Sequence, residues 1–223
     1  MVKAVSFFKR RAGMSVEDFQ AYWREQHPGP VVRLPGVRRY VQSHTLPAVY
    51  RKGEPIYDGI AEVWFEDTRA MHALRGSTEM ATVEADEAAF IDRSTMRMLV
   101  TEEHVIKDGP AVAGARKNVE FVTRKPGLEL EKFQRYWREV HGPIGARIPM
   151  IRRYVQSHTR ASAYERGRLP AYDGLAMTWF DDTDAMRASA ATPEYARTRA
   201  DEPNFLAPGD PAFIITTEHV IVP

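Results

Sequence analysis

The chain of 223 residues contains no cysteine, which removes disulfides, thiolate catalysis and cysteine-ligated metals from consideration. It carries no excess charge of either sign. The 31 Lys and Arg stand against 30 Asp and Glu, and the two signs are interleaved rather than gathered into a basic stripe, so nucleic acid is not an expected partner. No apolar run approaches the ~20 residues of a membrane-spanning helix, so no membrane partner is expected either. Met1-Val2-Lys3-Ala4 leads straight into a strand-like run, without the apolar core and cleavage site of a signal peptide. The expected location is therefore cytoplasmic. Phosphate loops, nucleotide-binding glycine patterns and serine elbows are missing as well.

What is there is a duplication. Tyr22-Trp23-Arg24-Glu25 with His27 returns as Tyr136-Trp137-Arg138-Glu139 with His141. The eight residues from Arg38 to Thr45 return unchanged from Arg152 to Thr159. Tyr57-Asp58-Gly59 with Trp64-Phe65 returns as Tyr172-Asp173-Gly174 with Trp179-Phe180, and Thr101–Ile106 matches Thr216–Ile221. Internal repetition on this scale has to be read before any fold is named. It places one module at 1–106, a Gly- and Ala-rich linker at 107–116 and a second module at 117–223.

Each module reads as strand, helix, two strands, helix, strand. Val5–Phe8 and Val119–Val122 are β-prone runs ended by turn residues. Ser15 can cap a helix whose apolar stripe is Phe19, Tyr22 and Trp23, repeated as Phe133, Tyr136 and Trp137. Both helices stop at a histidine followed by glycine and proline. The βαββαβ order gives a ferredoxin-like sheet with two helices on one face. The bare faces of two such sheets can cover one another, so the expected fold is α+β: two ferredoxin-like modules packed sheet to sheet as an intramolecular dimeric α+β barrel.

Alternation along the second strand puts Arg38, Tyr40, Gln42 and His44 on one face. With Val37 and Val41 assigned to the helix side, this polar set is expected to line the barrel interior. The same argument sends Phe7 and Phe121 to the helices, with Ser6 and Glu120 opposite. His44 and His158 are candidate proton-transfer groups, because histidine titrates near neutrality; the competing reading is a strand-end histidine that fixes a loop. His27 and His141 either cap a helix C-terminus or sit at a cavity mouth. Arg38 and Tyr40 complete the candidate catalytic set. Gln42, Glu62, Trp64, Glu120, Gln156 and Trp179 are the candidate substrate-binding residues, Trp64 and its copy through ring stacking. Asp58 and Asp173 most simply build turns. Histidine spacings on the helices match no metal motif, so no metal site is expected. The mismatches Glu62/Met177 and Ser6/Glu120 suggest that one pocket is specialised, and the first repeat is favoured.

The chain resembles the EthD family in four ordered motifs: Tyr-Trp before a terminal His, Arg-Tyr-Val-Gln-Ser-His, Tyr-Asp-Gly with Trp-Phe, and Thr-Glu-His-Val. The resemblance covers nearly the whole chain, once per half. It implies the dimeric α+β barrel. Similar fungal members act as cofactor-free decarboxylases or dehydratases on aromatic polyketides, and related barrels isomerise muconolactones or bind haem. The expected function is thus a cofactor-independent lyase or isomerase acting on a small apolar aromatic or lactone-like metabolite. Two alternatives stay open: a non-catalytic binding protein accessory to a degradative oxygenase, and a cofactor-free or haem-dependent monooxygenase. Association of the tandem chain into a homodimer is also left open.

Overall fold

The computed structural model describes residues 1–110 and 114–223. Three positions of the expected linker, 111–113, lie outside the described residues. The chain divides into two compact units, Met1–Val100 with Thr216–Pro223, and Thr101–Ile215. Among the described residues no helix is long and apolar enough to cross a membrane.

The first unit is built from β1 (Val2–Arg10), α1 (Val16–Glu25), the single turn α2 (Pro28–Val31), β2 (Val37–Thr45), β3 (Gly59–Phe65), α3 (Thr68–Ala73), α4 (Thr78–Phe90) and β4 (Ile91–Lys107). Its antiparallel sheet runs β4-β1-β3-β2 and continues onto the C-terminal strand β8 (Ala212–Val222). Ser15, Asp67 and Ser77 start α1, α3 and α4 by accepting a backbone N–H from the first turn. The second unit repeats the pattern with β5 (Arg116–Val122), α5 (Leu130–Tyr136), α6 (Gly142–Gly145), β6 (Arg153–Thr159), β7 (Gly174–Phe180), α7 (Thr183–Ser189) and α8 (Pro193–Asp201). Its sheet runs β8-β5-β7-β6-β4. Both units are ferredoxin-like, as the sequence order implies, and in each a fifth strand extends the four.

The Tyr-Asp-Gly motif has a packing role. A Cβ on Gly59 would lie 2.3 Å from the Trp23 ring, and one on Gly174 would lie 2.7 Å from Trp137. Only glycine lets the helix tryptophan reach the sheet. The preceding aspartates tie loops together. Asp58 accepts from the backbone N–H and guanidinium of Arg10 and from Tyr50 Oη; Asp173 accepts likewise from Arg124 and Tyr164.

The expected facing of β2 and β1 is reversed. Tyr40, Gln42 and His44 point to the helices: Trp23 Nε1 donates to Tyr40 Oη, Gln42 Nε2 donates to the Trp23 carbonyl, and His44 stacks on the Trp23 ring at 4.2 Å. Phe8, not Phe7, packs against Phe19 and Trp23. The opposite face holds Lys3, Glu62 and Trp64, with Lys3 and Glu62 paired at 2.9 Å and almost fully buried. Polarity misled because these polar side chains satisfy one another in place, which makes their burial affordable. Met177 replaces Glu62 in the second unit, where the buried Ser157 hydroxyl has no hydrogen-bond partner among the described residues.

Candidate active site

Within the second unit a cavity of about 420 Å³ lies between the helix-facing side of the sheet and helices α6 to α8. Asn118, Glu120 and Val122 enter it from β5, Tyr154 from β6, and Thr178 from β7. Arg199 and Glu202 close it from the end of α8, and the Trp137 and Phe205 rings form part of its apolar wall.

The same positions in the first unit are filled. Ala4, Val31, Leu34, Tyr40, Leu74 and Val83 are buried in one apolar cluster, with Val63 and Met80 packed against it. Their counterparts in the second unit are Asn118, Gly145, Ile148, Tyr154, Ser189, Thr198, Thr178 and Tyr195. Val31 has become glycine, Leu74 serine and Val83 threonine, which removes methyl groups from the centre. Ser189 and Thr198 spend their hydroxyl protons on helix carbonyls, Met186 and Glu194, so the space they vacate stays largely apolar.

His141 lines the cavity at the helix end. Its side chain makes no capping hydrogen bond to the adjoining helix. Its Nδ1 lies 2.9 Å from Asp201 Oδ2, and Tyr136 Oη donates to the other oxygen at 2.6 Å. Burial lowers the histidine from its ordinary 6.5, against the opposing pull of Asp201. Burial works to raise the Asp201 carboxyl, but donors Tyr136, Asn204 and His141 outweigh it and hold it ionised. The neutral ring therefore donates from Nδ1, leaving the Nε2 lone pair as acceptor. His27, Asp86 and Tyr22 repeat the arrangement in the first unit, with His27 Nδ1 2.7 Å from Asp86.

Glu120 is the other chemical group. Burial raises its carboxyl, opposed by a hydrogen bond from Asn118 Nδ2 at 3.0 Å; the first unit has Ser6 there. Burial likewise pushes Glu202 up to about 7, with Arg199 opposing. Tyr154 Oη accepts from Gln156 Nε2 and from the Trp137 indole, so its own proton is left to donate. Its ionisation is pushed upward by burial, which keeps it a donor.

Of the candidate substrate-binding residues named from sequence, Glu120 alone lines this cavity. Tyr154 and His141, the second-repeat copies of Tyr40 and His27, line it too. His158 and Gln156 stand behind Trp137: the ring of His158 stacks on the indole at 4.4 Å, and its Nε2 meets Gln156 Oε1 at 2.9 Å. His44 and Gln42 repeat this in the first unit. Burial drives both histidines down to about 3, so they are neutral packing groups at physiological pH. Trp64 and Trp179 lie under the cationic ends of Lys3 and Lys117. Arg38 is 58 % exposed and pairs with Glu66 on the surface. Asn118, Tyr195, Arg199, Asp201 and Glu202 escaped the sequence reading; the substitutions Val83 to Thr198 and Glu84 to Arg199 on the last helix were the available signal. Among the described residues no group of three or more His, Asp or Glu is arranged to hold a metal ion.

A model of the EthD domain matches residues 11–94 and again 125–209. No curated protein matches the chain in sequence. Among solved structures, an anthrone oxidase-like protein aligns over 99 % of this chain and 93 % of its own, with TM-score 0.62 and 12 % identity. A proposed monooxygenase of Lactobacillus acidophilus aligns over 98 % and 94 %, with TM-score 0.59 and 10 % identity. An EthD-family protein of Bacillus halodurans covers 47 % of this chain and 99 % of its own, at 17 % identity and TM-score 0.38. At such identities the two full-length likenesses speak for the fold alone.

Proposed function

The chain belongs to the EthD family and carries its domain twice, and from that premise we propose that the second-unit cavity is the working site of a lyase or isomerase that moves protons without a cofactor. One observation carries this reading: a single cavity of about 420 Å³ is lined both by His141, oriented by Asp201, and by the buried acid Glu120. A volume of this size fits a small, largely apolar metabolite.

In this mechanism His141 Nε2 takes a proton from an activated C–H of the substrate, and the imidazolium is stabilised by Asp201. Tyr154 Oη donates a hydrogen bond to the oxyanion that forms next to that carbon. Glu120 gives its proton to the far end of the system, releasing water in a dehydration or forming the new C–H in an isomerisation. Solvent then returns a proton to Glu120 and removes one from His141. The pKa directions suit the roles. Burial lowers His141 and raises Glu120, so both shifts favour the neutral base and the neutral acid that the mechanism needs. The activity profile is accordingly bell-shaped, and Glu120→Gln removes its alkaline limb.

The test is solvent deuterium incorporation into a panel of hydroxyaryl ketones and unsaturated lactones, followed by NMR. Exchange that depends on both His141 and Glu120 supports the reading. Binding with no exchange and no conversion turns the site into a carrier pocket, and exchange unaltered by both substitutions removes it from the chemistry.

A further inference from the structure

Arg199 lies at the cavity with a partner that can be exchanged. Its Nη1 donates to Glu202 at 2.9 Å, and its Nη2 pairs with Asp210. Asp210 is 90 % exposed and sits in the segment between Phe205 and β8, flanked by Gly209 at φ +103° and Pro211. Both Arg199 and Asp210 line the cavity.

The first unit solves the same electrostatic problem differently. Glu87, the counterpart of Glu202, is also pushed up to about 7 by burial. Its arginine, Arg93, comes from strand β4, stands 3.7 Å away and is 45 % exposed. At the position of Arg199 the first unit has Glu84, which is paired with the same Arg93. Satisfying the buried glutamate therefore does not require an arginine on the helix. Moving it there turns the guanidinium toward the cavity, and the exposed partner Asp210 takes Nη2, the nitrogen on its outer fork. An exposed ion pair contributes little, whereas a guanidinium fork matches a carboxylate with two parallel hydrogen bonds.

We infer that the ligand of this cavity carries a carboxylate, which takes the outer fork of Arg199 from Asp210 while the apolar body enters among Phe205, Phe213 and Ile151. The inference rests on the reading that this cavity binds the metabolite, and it adds the substrate class. Asp210 is then a built-in competitor that holds Arg199 in place while the site is empty.

Binding of benzoate, benzyl alcohol and benzylamine to the full chain, measured by titration calorimetry, tests it. The wild-type protein should bind benzoate at least ~10-fold more tightly than benzyl alcohol, the size of one charge-assisted pair. Asp210→Asn should tighten benzoate roughly 5-fold and leave benzyl alcohol unchanged. Arg199→Gln should erase the preference; if that variant is unfolded by circular dichroism, Arg199→Lys, which keeps charge but loses the fork, should reduce it. Benzoate binding no better than benzyl alcohol in both wild type and Asp210→Asn overturns the inference, as does benzylamine binding best. An Arg199-dependent preference for benzoate without isotope exchange on any substrate overturns only the proton-transfer reading. Exchange on uncharged substrates without that preference overturns only the carboxylate.

Discussion

The two units start from one sequence and differ in what lies under their second helix layer. In the first, Val31, Leu34, Leu74 and Val83 close the space into a core. In the second, Gly145, Ser189 and Thr198 leave a cavity, and Asn118, Glu120, Tyr195 and Arg199 give it polar walls. The frame common to both is a tryptophan stacked on a buried histidine, a glycine beneath the tryptophan, and a His–Asp pair at the helix end. What two copies share maintains the fold; what only the second has creates room and sets ionisable side chains around it. The His–Asp pair sits in both classes, because only in the second unit does it line the cavity described above.

The largest effect is expected from Glu120→Gln, which should lower turnover of a confirmed substrate about 10³-fold, within the usual range for a general acid. Ser6→Ala at the matching position should leave it within about twofold, and steady-state kinetics of both decides. Next comes stability. Leu74→Ala should cost about 3 kcal/mol, because it opens a cavity in a packed core. Ser189→Ala should cost about 1 kcal/mol, the loss of one hydrogen bond to Met186; urea denaturation measures both.

A smaller effect concerns pH. Glu87 and Glu202 are raised from 4.5 to about 7 in the folded chain, so the folded state holds protons that the unfolded state has released. Their contribution to stability is full below pH 4.5 and is lost as pH rises through 7. The urea midpoint should therefore fall between pH 5 and 8, and the double variant Glu87→Gln, Glu202→Gln should flatten that slope. Smallest of all, Arg38→Ala removes only an exposed pair with Glu66, and should change stability by less than about 0.5 kcal/mol with activity unaltered.

Much of the fold was legible because repetition confirms itself: each motif appeared twice, at matching intervals and in the same order. The facing of the strands was not legible. Alternation assigns residues to two faces but does not say which face meets the helices, and Tyr40, Gln42 and His44 look as though they belong away from an apolar layer. They bury there by bonding to one another and to the Trp23 carbonyl, a network that depends on tertiary contact. The site was legible in part. The mismatch Ser6/Glu120 found a cavity residue, whereas Glu62/Met177 marked the opposite face. Reading mismatches chiefly among strands overlooked α8, where Thr198 and Arg199 stand. The first repeat, favoured on sequence, has this space filled, and the changes that open it in the second, Gly145 and Ser189, are small residues that signal nothing alone and matter through the volume they leave.

The account stands most directly on whether the second-unit cavity is where the substrate goes. Giving that unit the residues of the first, Gly145→Val with Ser189→Leu and Thr198→Val, fills the space while keeping His141, Asp201 and Glu120. Isotope exchange into the substrate, measured by NMR on a variant shown to be folded, should drop at least ~100-fold. Exchange at the wild-type rate in that filled variant would contradict the account.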